Sequence, residues 1–189
     1  MTIDLSDRHL IALLGRRGAE SCMLETAIRM LTDRGAVVHA AFADRTGNET
    51  GSDLNRAREQ LTEIPLGEAE PGDYHAAILP GDRASVELLR SSTEAISFIR
   101  EFADRCVPIA TIGYGPKLLI DCGLVDGFKV TSDPTIRGEL EDAGATWNDT
   151  EVITDRILVT GRGPEDAEAF GATIVVEIAK GIIAGQSAG

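Results

Sequence analysis

Val107-Pro108-Ile109-Ala110-Thr111-Ile112-Gly113-Tyr114-Gly115-Pro116-Lys117-Leu118-Leu119 runs from an apolar stretch, through a tyrosine between two glycines, into a proline-led stretch. The apolar part (residues 107–112) reads as a buried strand. Pro116 suits the first position of a helix reaching to about Asp121, which Cys122-Gly123 closes. A strand, a tight turn and a helix in that order form the repeating unit of an α/β sheet. The same alternation extends in both directions. Upstream, residues 75–80 read as a strand after the turn Pro71-Gly72-Asp73, followed by helical stretches at 84–90 and 93–105. Residues 9–14 read as the first strand and 19–34 as a helix, with Met23, Ala27, Met30 and Leu31 at helical spacing and Gly35 as its cap. Residues 36–42 form the second strand. A polar loop from Asp44 to about Asn55 comes next, then a short helix or edge hairpin before Pro65. Downstream, residues 128–131 read as a short strand and 134–143 as a helix. Residues 151–160 read as a hairpin turning at Asp155-Arg156, and 164–183 as a long closing helix.

Strands that are continuously apolar are buried on both faces, which marks a parallel sheet covered by helices. With right-handed crossovers this gives a flavodoxin-like, doubly wound α/β sandwich. It is expected as one domain over residues 1–184, with 185–189 as a flexible tail.

Composition narrows the function. The chain has 189 residues, 43% hydrophobic and 26% charged, which is the profile of a soluble globular domain. Its formal charge of −13 repels phosphate backbones and anionic lipid, so neither nucleic acid nor a membrane is expected as a partner. No stretch approaches the roughly 18 apolar residues of a membrane helix, and no basic-then-apolar leader opens the chain, so the expected location is cytoplasmic. Cys22, Cys106 and Cys122 have neither disulfide nor zinc-site spacing, and packing is the role expected of each. His9, His39 and His75 lie in or beside strands with no ligand motif. Neither a metal nor a cofactor is expected.

Ligand sites in open α/β sheets lie at the carboxyl ends of strands. Three such ends stand out here: residues 14–20, Leu79-Pro80-Gly81-Asp82-Arg83-Ala84, and the opening stretch through Gly113. Together they resemble the ThiJ/PfpI superfamily of class I glutamine-amidotransferase-like proteins. Gly18-Ala19-Glu20 is similar to the family's Gly-x-Glu. Pro80-Gly81-Asp82-Arg83 is similar to its Pro-Gly-Gly-Arg, and residues 110–116 to its Ala-x-Cys-His-Gly-Pro elbow. Residues 123–134, Asp142-Ala143-Gly144-Ala145-Thr146-Trp147 and Leu158-Val159-Thr160-Gly161-Arg162-Gly163-Pro164 extend the likeness, especially to the PfpI branch.

The resemblance implies the same fold and homodimers or larger homo-oligomers. It also implies a site built from Glu20, Tyr114 and the backbone of Gly81, Asp82, Gly113 and Gly115. In the family a cysteine thiolate at the elbow is the nucleophile, beside a protonated acid that corresponds to Glu20. Here the elbow cysteine and the histidine after it are replaced by Gly113 and Tyr114. Glycine has no side chain to attack with, so peptidase, amidase or glyoxalase chemistry that depends on the cysteine is not expected. Asp82 places a carboxylate where an anionic ligand would be disfavoured. The branch's interface acid aligns with Val86, and Glu87 follows it. Two functions fit. One is a pseudoenzyme that binds a small molecule or protein partner in the remnant pocket, with Tyr114 filling space. The other is a cysteine-independent hydrolase or lyase with Glu20 as general acid/base and Tyr114 as donor.

Overall fold

The computed structural model describes residues 3–16, 22–44 and 61–186. Its central sheet is made of β1 (His9–Arg16), β2 (Val37–Asp44), β3 (Leu61–Ile64), β4 (Ala76–Leu79), β5 (Ile109–Ile112), β8 (Val152–Asp155) and β9 (Leu158–Gly161). The strand order is β3-β2-β1-β4-β5-β9-β8, parallel throughout except for β8, which runs antiparallel to β9. β6 (Lys129–Val130) and β7 (Thr146–Trp147) form a separate parallel pair. The helices are α1 (Cys22–Thr32), α2 (Arg83–Arg90), α3 (Thr93–Asp104), α4 (Pro116–Asp121), α5 (Arg137–Asp142) and α6 (Ala167–Gln186).

Alternation along each strand sorts side chains into two cores, as a pleated sheet covered on both faces requires. Ile11, Leu13, Ala77, Leu79 and Ile109 face one side and pack with Leu89, Phe98, Ile99, Phe102, Leu118 and Leu119 of α2, α3 and α4. Leu10, Ala12, Leu14, Ile78 and Ile112 face the other, against Leu24, Ile28 and Leu31 of α1 and Phe170, Ile174 and Ile178 of α6. From β1 the chain builds outward to β2 and β3. It then returns to place β4 on the opposite side, so the winding reverses between β1 and β4. Crevices at such reversals are where open α/β sheets bind ligands, outside the carboxyl ends of the strands.

The doubly wound sandwich expected from the sequence is the fold observed. The α1 helix ends at Gly35 with φ +91°, a left-handed C-terminal residue. The 151–160 hairpin is β8–β9, with Arg156 at φ +54° in its turn. Leu61–Ile64 is an edge strand as one expected option had it, but it pairs parallel to β2 and so is no hairpin. The expected polar loop beyond Asp44, and the residues after it as far as residue 60, lie outside the described residues. β7 was not anticipated: Thr146-Trp147 is too short to show a period of two. Cys106 departs from the core role expected of it. It is exposed with φ +56°, closing α3 rather than packing beneath it.

Phe102 is fully buried between α3 and the sheet. Phe102→Ala is expected to lower unfolding free energy by about 3–5 kcal/mol, read from the midpoint of a urea or guanidinium titration.

Candidate functional site

The carboxyl ends of β4, β5 and β9 meet at one place, and residue 113 lies at its centre. Past Ile112 the backbone reverses through Gly113 at φ +63°, a conformation that glycine adopts far more readily than any β-carbon-bearing residue. Backbone hydrogen bonds hold the reversal on three sides. Gly113 N–H donates to the Gly161 carbonyl (3.0 Å), Tyr114 N–H to the Gly81 carbonyl (3.0 Å), and Asp133 N–H to the Gly113 carbonyl (3.0 Å). A β-carbon at residue 113 would stand 2.9 Å from the Gly81 oxygen and 3.3 Å from the Met23 sulfur of α1. Gly115 is confined more tightly still. Its β-carbon would fall 1.7 Å from Thr111 Oγ1 and 2.4 Å from the Pro80 carbonyl oxygen. Only glycine lets the first turn of α4 lie this close to β4 and β5. Pro116 then starts α4, where its missing N–H costs nothing.

Asp82 spends its side chain locally. Oδ1 accepts from Ser85 N–H at 2.8 Å and caps α2, which explains why an acid fits a position otherwise suited to glycine. Its Oδ2 is buried with no hydrogen-bond partner, and so is the Thr111 hydroxyl behind Gly115.

Tyr114 is half-buried and packs against the core on the α2–α4 side. The Arg83 guanidinium lies 4.9 Å from its ring centroid, within cation–π range. Thr135 Oγ1 is 3.2 Å from the Tyr114 hydroxyl and 2.5 Å from Asp133 Oδ1. The Thr135 hydroxyl has a single proton, and a carboxylate only accepts, so that proton goes to Asp133 and the phenol donates to Thr135. The Tyr114 hydroxyl proton is therefore already engaged. On the β9 side, Arg162 donates to Asp166 (2.9 Å) and Asp149 (2.9 Å), and these carboxylates push its pKa upward and fix its charge.

Five of the six residues expected at the site thus come together: Gly81, Asp82, Gly113, Tyr114 and Gly115. Glu20 lies outside the described residues, as do Gly18 and Ala19. Of the two positions considered for an interface acid, Val86 is fully buried and Glu87 is exposed and paired with Arg90 at 3.1 Å. Cys122 is buried as expected, and burial pushes its thiol up to about 12, so it is no nucleophile at neutral pH. Sequence reasoning overlooked Thr135 and Asp133. Asp-Pro-Thr is a turn signal, and Asp133 does accept from Thr135 N–H at 2.9 Å. Nothing in that signal links the turn to Tyr114. Among the described residues no group of three or more His, Cys, Asp or Glu is arranged to hold a metal ion. No helix there is long and apolar enough to cross a membrane.

A doubly wound sandwich with a strand–turn–helix elbow beside its reversal point defines a class of α/β proteins with glutamine-amidotransferase-like architecture. Within that class the chain belongs to the DJ-1/PfpI family, whose model matches residues 9–177. It is 31% identical over 160 residues to Deglycase TK1284 of Thermococcus kodakarensis, covering 85% of this chain and 93% of that one. To Deglycase PfpI of Pyrococcus furiosus it is 36% identical over 140 residues, covering 74% and 81%. In fold it is similar to Drosophila melanogaster DJ-1beta, with a TM-score of 0.74 at 24% identity, covering 93% of this chain and 97% of that one.

If Tyr114 serves mainly to fill space, the ring should matter more than the hydroxyl. Tyr114→Phe is expected to cost about 1 kcal/mol or less and Tyr114→Ala about 2–4 kcal/mol, measured by denaturant unfolding.

Proposed function

We propose that this protein is a non-catalytic member of the DJ-1/PfpI family that binds a small molecule or a protein partner at the carboxyl edge of its sheet, acting as a homodimer or larger homo-oligomer. The observation that carries this reading is Gly113. The elbow keeps its left-handed turn and its backbone bonds, yet the residue at its apex has no side chain, and the Gly81 carbonyl occupies the approach to where one would begin. Covalent catalysis needs a nucleophile at that point. The engagement of Tyr114 with Thr135, and its packing on the core, supports a space-filling role over that of a free proton donor. The Asp82 carboxylate favours a neutral or cationic ligand over an anionic one. Several relatives are named deglycases. Their names favour the second reading, in which the chain turns over a small substrate without cysteine, using Glu20 as general acid/base.

Turnover assays of wild type, Glu20→Ala and Gly113→Cys separate the two. The substrates are methylglyoxal, chromogenic peptides and isonitriles. Wild type is expected to show no turnover above the uncatalysed rate. Gly113→Cys places a β-carbon against the Gly81 oxygen at positive φ, so each variant's thermal unfolding is measured alongside to show that it is folded. Activity that appears in folded Gly113→Cys supports a scaffold without its nucleophile. Wild-type turnover abolished in Glu20→Ala overturns the pseudoenzyme reading in favour of the enzyme.

A further inference from the structure

His9, His39 and His75, all the histidines of the chain, gather at the amino edge of the sheet, at the opposite end of β1 from residue 113. His9 opens β1, His39 lies in β2, and His75 immediately precedes β4. The ladder pairs His9 with Val37, Ile11 with His39, and Leu10 with Ala76. With side chains alternating along each strand, these registers place all three rings on the face that carries α2–α4. The His9 centroid is 6.4 Å from that of His39 and 6.4 Å from that of His75. Tyr74 joins them: its buried phenol is 2.9 Å from His39 Nδ1, with the rings edge to face.

One bond depends on a neutral ring, and a second must reverse when its ring is protonated. The His9 N–H, the first amide of β1, donates to His75 Nδ1 at 3.1 Å, so an imidazole side chain fills a place on the strand edge. An imidazolium donates from both nitrogens and accepts at neither. Protonated His75 would turn an N–H toward the His9 N–H. Its one outlet would be the His9 carbonyl, 3.3 Å away, whose other lone pair takes the His75 amide at 2.8 Å, and the His9 N–H would then lose its acceptor. Protonated His39 would donate from Nδ1, so its contact with Tyr74 holds only with the phenol turned to accept, and the new charge faces the His9 ring 6.4 Å away.

We propose that this histidine row is an acid-sensitive latch, joining β1 to β2 and β4 while the rings are neutral and weakening that edge of the sheet in mildly acidic solution.

The charged surroundings support it. Arg8, ion-paired with Asp7 at 3.5 Å, precedes His9, and Asp73 precedes Tyr74. From the end of α3, Arg105 donates to the Pro71 and Gly72 carbonyls. On β3, Thr62 is level with His39, and Glu63 falls on the opposite face by alternation. Burial first, then the neighbouring His9, holds His39 below the ordinary histidine range. For His75 burial again leads, followed by Arg8, while the bond to the His9 carbonyl and then Asp7 oppose them only in part. The sign follows. Below the ordinary value of 6.5 the unfolded chain binds more protons than the native one, so stability is complete above 6.5 and declines as pH falls through the lowered native values.

Thermal unfolding of the full chain between pH 7.5 and 5.5, above the carboxylate range, tests the latch, together with NMR titration of the wild-type imidazoles. The wild-type Tm is expected to fall by roughly 3–6 °C across that interval. A His39→Gln/His75→Gln double variant keeps side-chain acceptors that do not titrate there, and it should lose at least half of that decline. His39 and His75 should titrate below 6.5 in the wild type. Titration of both at or above 6.5 overturns the proposal, as does a double variant with the full wild-type decline. If the double variant fails to fold, the wild-type titration decides alone. Because the readouts are stability and protonation, the result is independent of whether the carboxyl edge binds or catalyses.

Discussion

The left-handed turn at Gly113 is where the organisation of this molecule converges. One residue at φ +63° ends β5, aims α4 back across the sheet, and brings the ends of β4 and β9 and the segment after β6 to a common point. Each tie is a backbone hydrogen bond, and each would cost about a kilocalorie per mole or more if left unmade in the interior. The approach is so close that residues 113 and 115 must be glycine, or neighbours must give way. The elbow is thus encoded in backbone geometry and in two missing side chains, without depending on a chemical group at its apex.

That division explains which features were legible in the sequence. The sheet was legible because burial on both faces leaves uninterrupted apolar runs such as Ile109–Ile112, and because Gly35, Gly123 and Pro116 punctuate the helices between them. Strand direction at the edge was not legible. Leu61-Thr62-Glu63-Ile64 has the composition of a hairpin arm as much as of a parallel strand, and its parallel pairing with β2 is a tertiary feature that four residues do not encode. Two-residue strands such as Thr146–Trp147 carry no period at all. Cys106 was misjudged because free cysteine is usually buried, whereas here it occupies a left-handed residue that ends α3.

The candidate site divides the same way. Glycines flanking a strand end announce a tight turn wherever they occur, so Gly81, Gly113 and Gly115 could be placed from their neighbours alone. The Tyr114–Thr135–Asp133 chain could not. Its members are separated by the whole of α4 and β6, and their meeting depends on Asp133 N–H reaching the Gly113 carbonyl. Asp82 shows the limit of motif matching most directly. By motif it is a substituted glycine beside a pocket. In the fold it caps a helix through Ser85, a role that any Asp, Asn or Ser at that position would satisfy.

A fold held by backbone bonds and a chemistry that needs one particular side chain are under separate constraints. Residue 113 can be glycine without loosening the elbow, since no bond that fixes the turn involves a side chain at that position. Glycine even removes the strain that any L side chain incurs at positive φ. The architecture of a DJ-1/PfpI protein can therefore persist whether or not the residue at the elbow's apex carries a reactive side chain. By the same reasoning, likeness to the family warrants the sheet, the elbow and the crevice. The reaction has to be argued from the atoms that line the crevice, and at its apex the atom present is a glycine α-carbon.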